Sequence, residues 1–539
     1  MIPMKQINVA RLMRAITFAA LALQASVAWC QDGAPRATPL LEIKRFVLEG
    51  DPNPLSASET NAILARHLGQ HTSLSTVQGA ARALEAAIRE KGYSFHRVIV
   101  PAQEPVEGEL RLRVIRFNLA EITVSGNRYF TSANILRALP ELQIGKSPDV
   151  QVVARQLGIT NDSPAKRTSV QFKESEKRDF LDADVRVRDV PTAQTFVGLT
   201  GGSRDFDNTI NRNTGYTRLT VGHQRSNLFD LDHAATVAYT TSPDHLDVVK
   251  QIGVFYWAPI YRYYTTINAY YTYSDVDSGT VGVGGQNFTV SGRGEFWGLR
   301  ATYTLPKLGS VGHSVSGALD SRYFRSDLGF QGVALPPNSV GSLPLSVRYS
   351  ARHEGGALNV GGYLEYVQNL SSGRANSAAS YATARVGADQ SWNAWRWGVD
   401  ANYAFADGWA IAGRLRGQHA SEPLIPGEQF GVGGVGSVRG LRDRESSGDQ
   451  GYTATLEVTA PPVYSVTPYA FHDFGQRKHV IPVAATTQSD HASSVGLGLR
   501  WNWEKGLDIN VTYAHVLNGI AGGTPRGYDK LNFSLFYRF

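Results

Sequence analysis

The chain has 539 residues, too many for one ordinary hydrophobic core and enough for two or three domains. Apolar residues make up 42%, charged residues 19%, and 24 tyrosines stand against three methionines, a balance that indicates a β-rich protein and excludes a helical bundle or coiled coil. The formal charge of +6 excludes little by itself, but Lys5, Arg11 and Arg14 supply half of it and both signs are interspersed beyond them, so no nucleic-acid partner is expected.

The first thirty residues have the pattern of a secretory signal peptide. A basic stretch precedes an apolar run over 15–29, which is too short for a membrane-spanning helix. Cleavage after Ala28 or after Cys30 fits the small residues nearby. Cys30 is the single cysteine, so no internal disulfide is expected in the exported protein. Since the rest of the chain lacks a run of eighteen apolar residues, a membrane form must cross as strands of a closed barrel.

Residues 40–190 mix helical and strand patterns in an order that occurs twice. In 40–117, a strand over 41–50 precedes a helix with the capping-box pair Ser56 and Glu59, and a helix over 75–91 precedes strands over 94–101 and 108–115. In 118–190, the same order gives a strand over 119–127, helices over 132–139 and 150–158, and strands over 167–174 and 180–187. The sequence therefore predicts two tandem α+β units.

Residues 191–539 show period-two alternation of apolar and polar residues, as in 494–503, 507–513 and 531–539. A soluble β-sandwich also alternates in this way. Strands of nine to twelve residues suit a tilted membrane crossing, and the aromatic pair Trp501 and Trp503 lies at a strand end, where an interfacial girdle would form. With the export signal, the pattern favours a mostly β protein whose C-terminal part is a transmembrane antiparallel β-barrel. The length of this part, about 350 residues at roughly 22 per strand and connection, predicts about sixteen strands.

Motifs for catalysis are not convincing in this sequence. The glycines of 431–436 formally match a dinucleotide-binding pattern, but the βαβ context that such a site needs is missing. There is no G-x-S-x-G nucleophile elbow. His67 and His71 have the i, i+4 spacing of some zinc sites, but Leu68 stands in place of the glutamate that such a site needs and Gly69 should end the helix. The sequence therefore predicts no enzyme activity, no catalytic residue, no metal and no cofactor.

A glycine-rich connection, predicted over 418–450, is the strongest candidate site. Connections of this length without secondary structure tend to be functional. It carries Arg439, and the strand predicted downstream places Phe471, Asp473 and Gly475 on one face. Because a carboxylate on the lipid face is costly, this face should line the lumen. The spacing leaves two alternatives open: a buried Arg439–Asp473 pair, or an exposed loop arginine and a solvated carboxylate.

Two short motifs carry a family resemblance: Val438-Arg439-Gly440 in the connection and Phe471-x-Asp473-x-Gly475 on the strand. They resemble motifs of the outer-membrane assembly superfamily, namely the conserved motif of the sixth extracellular loop and the motif of the thirteenth strand. The tandem α+β units resemble polypeptide-transport-associated (POTRA) domains, and two of them before a barrel are similar to two-partner secretion transporters of the haemolysin-activator type. Residues 40–539 carry the resemblance, with the loop motif at Val438, Arg439 and Gly440 and the strand motif at Phe471, Asp473 and Gly475.

The resemblance implies a sixteen-stranded outer-membrane barrel whose sixth loop folds inward, with Arg439 held by Asp473. It also implies that periplasmic POTRA domains capture a large secreted partner protein, which the barrel conducts to the cell surface without ATP. Expected partners are that cargo, outer-membrane lipids and the barrel assembly machinery, with Phe539 as the C-terminal strand signal. Leu441 departs from the aromatic residue common after the Arg-Gly pair, and the short segment before Leu40 argues against the pore-plugging helix of some members.

Three other functions remain as alternatives. An insertase that folds other barrels would share the arginine and aspartate motifs, although its best-known members carry more POTRA domains. A passive porin would not need cargo-binding units in tandem. An outer-membrane enzyme would need a nucleophile or metal cluster that the sequence does not offer.

Overall fold

The computed structural model describes residues 41–71, 73–104, 106–203, 217–246, 249–275, 279–283, 286–290, 293–325, 329–330, 333–334, 339–482, 487–503 and 506–539. The predicted signal peptide, including Cys30, lies outside these residues. Among the helices of the described residues, none is long and apolar enough to span a membrane.

The first α+β unit has the predicted order of strand, helix, helix, strand and strand. Its elements are β1 (Leu41–Ile43), β2 (Arg45–Gly50), α1 (Ala57–Leu64), β3 (Gly69–His71), α2 (Leu74–Glu90), β4 (His96–Ile99) and β5 (Glu109–Arg116). The sheet order is β2-β5-β4, and β2 runs parallel to β5. Ser56 and Glu59 form the capping box at the start of α1. The antiparallel pairing of β1 with β3 is an addition that the sequence pattern did not reveal.

The second α+β unit repeats this arrangement. It consists of β6 (Asn118–Ser125), α3 (Ser132–Arg137), α4 (Val150–Thr160), β7 (Lys166–Glu174) and β8 (Phe180–Asp189). Its sheet order is β6-β8-β7, with β6 parallel and β7 antiparallel to β8. Thr131 and Asp149 cap the two helices through their side-chain oxygens. Leu119, Ile135 and Val185 are fully buried between the helices and the sheet.

The rest of the described chain forms a closed antiparallel barrel, as the alternation predicted, and it has sixteen strands, as the length of this part predicted. The strands are β9 (Ala193–Gly202), β10 (Thr217–Leu228), β11 (His233–Thr241), β12 (Gln251–Ile260), β13 (Thr265–Ser274), β16 (Arg293–Thr304), β17 (Val311–Arg325), β20 (Val340–Ser342) continuing as β21 (Pro344–Gly355), β22 (Leu358–Asn369), β23 (Asn393–Ala404), β24 (Ala410–Ala420), β27 (Gln450–Thr459), β28 (Val466–Lys478), β29 (Ser489–Trp503), β30 (Leu507–Asn518) and β31 (Asp529–Arg538). The last strand closes the barrel on the first, with Asn532 opposite Gly202 and Arg538 opposite Phe196.

The two faces of the barrel wall differ in chemistry. Outward side chains are apolar and exposed, among them Leu299, Val347 and Leu497. Inward side chains are polar and buried, among them Thr236 and Thr512. This is the distribution of a membrane barrel, because hydrocarbon surrounds the outer face and the lumen can hold water. Trp501 and Trp503 stack with ring centroids 4.9 Å apart near one rim of the wall.

Connections at the two ends of the barrel differ in length. At the turn end, short connections such as 229–232 and 261–264 join the strands, whereas the loop end carries long ones. The long connections contain elements that the sequence pattern did not predict: the pairs β14 (Gly279–Val283) with β15 (Gln286–Val290), β18 (Gly329–Phe330) with β19 (Val333–Ala334) and β25 (Phe430–Val432) with β26 (Ser446–Gly448), and helix α5 (Ala378–Ala384).

The second α+β unit contacts the turn end of the barrel through buried polar groups. Lys166 on β7 donates to both carboxylate oxygens of Asp232 at 2.7 Å, and both side chains are almost completely buried. Tyr261 donates to Asp232 at 2.6 Å, and Asn134 accepts from Lys166 at 3.0 Å. Arg155 on α4 stacks on the ring of Tyr264, with the guanidinium carbon 3.7 Å from the ring centroid. These contacts fix this unit against the turns of the barrel.

Candidate functional site

The connection between β24 and β27, residues 421–449, folds into the barrel lumen and is called the inward loop below. It contains the pair β25 and β26, and its apolar residues Val432, Val438 and Leu441 are almost completely buried. They pack with Ala492 and Val516 of the barrel wall. The burial of these side chains removes apolar surface from water and holds the loop inside the wall rather than above it.

Arg439 of the inward loop contacts Asp473 of β28, the thirteenth strand of the barrel. Its Nε lies 2.7 Å from Oδ2 and its Nη2 2.8 Å from Oδ1, while its backbone N–H donates to Oδ2 at 3.1 Å. The guanidinium carbon lies 3.3 Å from the centroid of the Phe471 ring. Asp473 is fully buried and Arg439 is 7% exposed. A bidentate pair of this kind fixes both position and orientation, since each partner satisfies the other away from bulk water.

The two motif glycines make room for the loop. Gly440 has φ +102°, and a Cβ on it would lie 2.8 Å from Cγ2 of Val516. A Cβ on Gly475 would lie 2.5 Å from Cγ1 of Val432 and 2.9 Å from Cγ2 of Val438. The residues of the two motifs therefore have distinct physical roles, since the aspartate and the phenylalanine hold Arg439 and the glycines allow the loop to approach the wall closely.

A second attachment of the inward loop lies on other strands of the wall, and the sequence reasoning did not find it. The Glu428 carboxylate accepts from Arg322 on β17 at 2.7 Å, from Arg396 on β23 at 3.1 Å and from Ser342 on β20 at 2.6 Å. Glu428 is 2% exposed. The inward loop thus spans the lumen from β28 to β17 and β23. A lone acid in the glycine-rich stretch after Pro426 was the available signal, but its partners lie more than thirty residues away.

A third attachment joins three loops at the loop end. Arg385, which follows α5, makes a bidentate ion pair with Asp449 at the end of the inward loop. The backbone N–H groups of Leu424 and Val480 also donate to Asp449, each at 2.8 Å. Burial alone would raise the pKa of the Asp449 carboxyl, but Arg385 and the two N–H groups hold that pKa below its ordinary value. The carboxylate therefore stays charged across the physiological pH range.

Phe539 lies at the seam where the barrel closes. Its backbone N–H donates to the carbonyl of Thr195 at 2.9 Å and its carbonyl accepts from Thr195 at the same distance. Its ring stacks on Tyr537 and is 64% exposed on the outside of the wall. The structure thus places this residue at the seam, away from the six residues of the two motifs.

Metal-binding side chains are not clustered in the part of the chain that the structure describes. None of the described His, Cys, Asp and Glu side chains form a group of three or more that could hold a metal ion. Buried charged groups instead form ion pairs between the inward loop and the wall. The arrangement holds the inward loop inside the barrel.

The family of haemolysin secretion/activation proteins ShlB/FhaC/HecB matches residues 194–501, more than half of the chain. The chain belongs to this family. The ShlB-type POTRA domain matches residues 41–116, which is the first α+β unit. The chain is thus an outer-membrane transporter of the two-partner secretion type, with POTRA domains in the periplasm and the turn end of the barrel on the periplasmic side.

Individual relatives are distant. Outer membrane transporter CdiB of Dickeya dadantii (strain 3937) is 21% identical over 416 residues, covering 74% of this chain and 68% of that protein. The heme/hemopexin transporter protein HuxB of Haemophilus influenzae is 22% identical over 192 residues, covering 35% of this chain and 32% of that protein. The family assignment therefore rests on the family model over residues 194–501.

Solved structures agree in fold over nearly the whole chain. CdiB from Escherichia coli superposes with a TM-score of 0.75 at 16% identity, and CdiB from Acinetobacter baumannii with a TM-score of 0.70 at 17% identity. Both comparisons cover 98% of this chain and 97% of the other. The predicted architecture of two POTRA domains before a sixteen-stranded barrel is confirmed.

Proposed function

We propose that this transporter exports one large secreted protein of the haemolysin or adhesin type, unfolded, from the periplasm to the cell surface. The observation that carries the proposal is an inward loop fixed across the lumen, in a barrel of this family, by the buried Arg439–Asp473 pair. A passive pore needs neither this loop nor tandem POTRA domains. The export step uses no ATP and no catalytic residue, because cargo that folds outside the cell does not return.

The POTRA domains capture the cargo by strand addition in this proposal. The edge strands are β2 and β4 in the first sheet and β6 and β7 in the second. An extended cargo segment can add to such an edge through main-chain hydrogen bonds, while alternate side chains give specificity. The deep contacts of the second POTRA domain with the turns of the barrel favour delivery of that segment directly to the lumen.

The inward loop sets the width of the path in this proposal. Asp473 and the partners of Glu428 hold it at two separate parts of the wall, so cargo passes beside a loop of defined position. Outer-membrane lipids surround the apolar outer wall. The barrel assembly machinery inserts the barrel during biogenesis, with Phe539 as part of its C-terminal strand signal.

The test is an export assay with the secreted protein encoded beside this transporter. We expect that protein in the medium or on the surface only when the transporter is present, and at least about tenfold less of it with Arg439→Ala. Truncation leaves the Asp473 carboxylate buried without its partner, a change that typically costs about 3–5 kcal/mol. Arg262→Ala, an exposed arginine in a periplasmic turn, is the matched control and should export normally.

Heat-modifiable mobility of the purified barrel must accompany the assay, since a misfolded variant would also fail to export. Normal export by a folded Arg439→Ala barrel would contradict the role of the pair. A general decline of outer-membrane proteins when the transporter is depleted, without loss of one cargo, would replace the proposal by the insertase alternative.

A further inference from the structure

Six arginines line one side of the lumen in its periplasmic half, and they belong to neither the loop motif nor the strand motif. We call them the arginine arc; they lie on wall strands from β16 to β29: Arg300, Arg348, Arg352, Arg414, Arg416 and Arg500. Their side chains are 30% to 58% exposed, so each guanidinium presents an edge to the lumen. The facing wall, from β10 to β13, carries neutral inward side chains at the same depth, including Gln224, Thr236 and Asn268.

Carboxylates of the wall are shared between these arginines rather than matched one to one. Glu365 lies 3.1 Å from Arg348 and 3.6 Å from Arg300. Asp400 lies 2.9 Å from Arg416 and 3.4 Å from Arg414. Because each carboxylate serves two guanidiniums, donor N–H groups remain on the lumen side, where a further carboxylate can bind.

Arg500 follows the same pattern next to the inward loop. It lies 2.7 Å from Glu457, which also faces Arg439 at 3.5 Å. Its guanidinium carbon stands 4.0 Å from the centroid of the Tyr469 ring, and Arg348 stacks on Tyr363 in the same way at 4.3 Å. Stacking on tyrosines orients the guanidiniums along the wall, which leaves their outer edges available.

A cavity of about 300 Å³ lies where the arc meets the inward loop. Arg352, Arg414 and Arg500 line it, together with Asp400 and Glu457. The ion-pair partner of Arg352 is the exposed Glu354, at 3.9 Å. Among the described residues, the six guanidiniums of the arc thus share four carboxylates, and the periplasmic entrance of the lumen keeps an excess of positive charge on one wall.

We infer that the arginine arc is a binding track for acidic segments of the exported polypeptide, an inference that rests on the proposed function. Arginine forks match carboxylates in geometry as well as in charge. Several weak, solvated sites in a row favour entry without retaining the chain, which is what conduction through a charged pore requires. The same field makes the lumen selective for small anions.

The test uses purified full-length transporter in detergent and two fluorescent Gly-Ser peptides, one carrying aspartates and one carrying lysines at the same positions. We expect the acidic peptide to bind more tightly in fluorescence anisotropy, with an affinity that falls as salt increases. Arg352→Gln with Arg414→Gln should weaken its binding by roughly three- to tenfold, because each solvated guanidinium–carboxylate contact is weak. In this variant Nη2 of Arg416 still donates to both carboxylate oxygens of Asp400, so the wall should stay folded.

The matched control is Arg262→Gln with Lys307→Gln, which removes two exposed charges from periplasmic turns and leaves the lumen unchanged. Equal binding of both peptides, or equal weakening by the control, would overturn the inference. In a planar bilayer, wild type should prefer chloride over potassium, and the arc variant should lose part of that preference. If the arc variant no longer prefers the acidic peptide but exports its cargo normally, the role of the arc is refuted while the proposed function stands. If wild type prefers the acidic peptide but export of the secreted protein does not depend on the transporter, the proposed function is refuted.

Discussion

The ion pair of Arg439 and Asp473 depends on neighbours that carry no charge. Phe471 places a ring under the guanidinium, and Gly475 leaves space for Val438. A carboxylate and a guanidinium removed from bulk water lose hydration energy, which only accurate geometry recovers. The uncharged residues of both motifs supply that geometry, so their replacement should affect the loop nearly as strongly as loss of a charge.

Gly440→Ala adds one methyl group and tests whether an uncharged motif residue is needed to hold the inward loop. Gly440 has φ +102°, where an L-residue is strained, and the added Cβ would lie 2.8 Å from Cγ2 of Val516. We expect a local cost of about 1–3 kcal/mol and faster trypsin cleavage after Arg442 and Arg444 in the inward loop. The matched control is Gly436→Ala in the same loop, because a Cβ there meets no atom within 4 Å. Equal cleavage rates in the two variants would contradict the steric argument.

Of the three attachments of the inward loop, the sequence analysis predicted only that of Arg439 to Asp473. Alternation in β28 placed Phe471, Asp473 and Gly475 on one face, and the resemblance paired them with Arg439. Glu428 and Asp449 stayed hidden, because their partners Arg322 and Arg385 come from distant strands and loops that only the closed barrel brings together. Residue spacing carries information along one element and little across a lumen.

Between elements, the two POTRA domains end the first strand of their three-stranded sheets in the same way. Gly50, the last residue of β2, and Gly126, the residue after β6, have φ +91° and +82°. A Cβ on Gly50 would lie 2.4 Å from the carbonyl oxygen of Val114, and one on Gly126 would lie 2.3 Å from that of Val187, each in the parallel neighbour. Only glycine permits this close approach. The two units were predicted as copies because the order of strands and helices repeats, and the structure adds this shared glycine. The pairing of β1 with β3 was missed because three-residue strands show no periodicity.

Lys166 is the critical contact between the second POTRA domain and the barrel turns. Burial lowers the pKa of its ammonium group, and Asp232 opposes that shift. Lys166→Met leaves the Asp232 carboxylate buried without its cation, at a cost of about 3–5 kcal/mol. We expect faster hydrogen exchange across β7 and α4, measured by mass spectrometry, because these elements lose their fixed contact with the barrel.

Two comparisons make that experiment specific. Lys173→Met removes an exposed lysine from the same strand and should leave exchange unchanged. Adding Asp232→Asn to Lys166→Met should cost less than the sum of the two single changes, since the second change removes the unpaired charge. Additive effects would show that the two side chains act independently and that the contact is not what fixes this domain.

For the whole molecule, features that repeat along the sequence could be predicted, whereas features that depend on closure of the barrel could not. Alternation of apolar and polar residues predicted the barrel, the length of residues 191–539 predicted about sixteen strands, and the structure has sixteen. The alternation of the strand ending at Trp503 also identified its aromatic end. The arginine arc could not be predicted, since its members are far apart in sequence and lie on one side of the lumen only when the strands from β16 to β29 form one wall.

Removal of the first POTRA domain tests the modular organisation of the chain. Most of residues 41–116 form a compact unit distinct from the one that contains the barrel. We therefore expect a protein lacking residues 40–117 to insert into the outer membrane and keep its heat-modifiable mobility, because the barrel closes through its own strands, from β9 to β31. Export of the neighbouring secreted protein should be lost, since capture in the periplasm precedes conduction.

A variant with Leu68→Asp, an exposed apolar residue of this domain, serves as an intact-domain control for barrel insertion. Unchanged export after the deletion would show that this domain does not capture cargo, while failure of the barrel to insert would show that folding of the two units is coupled.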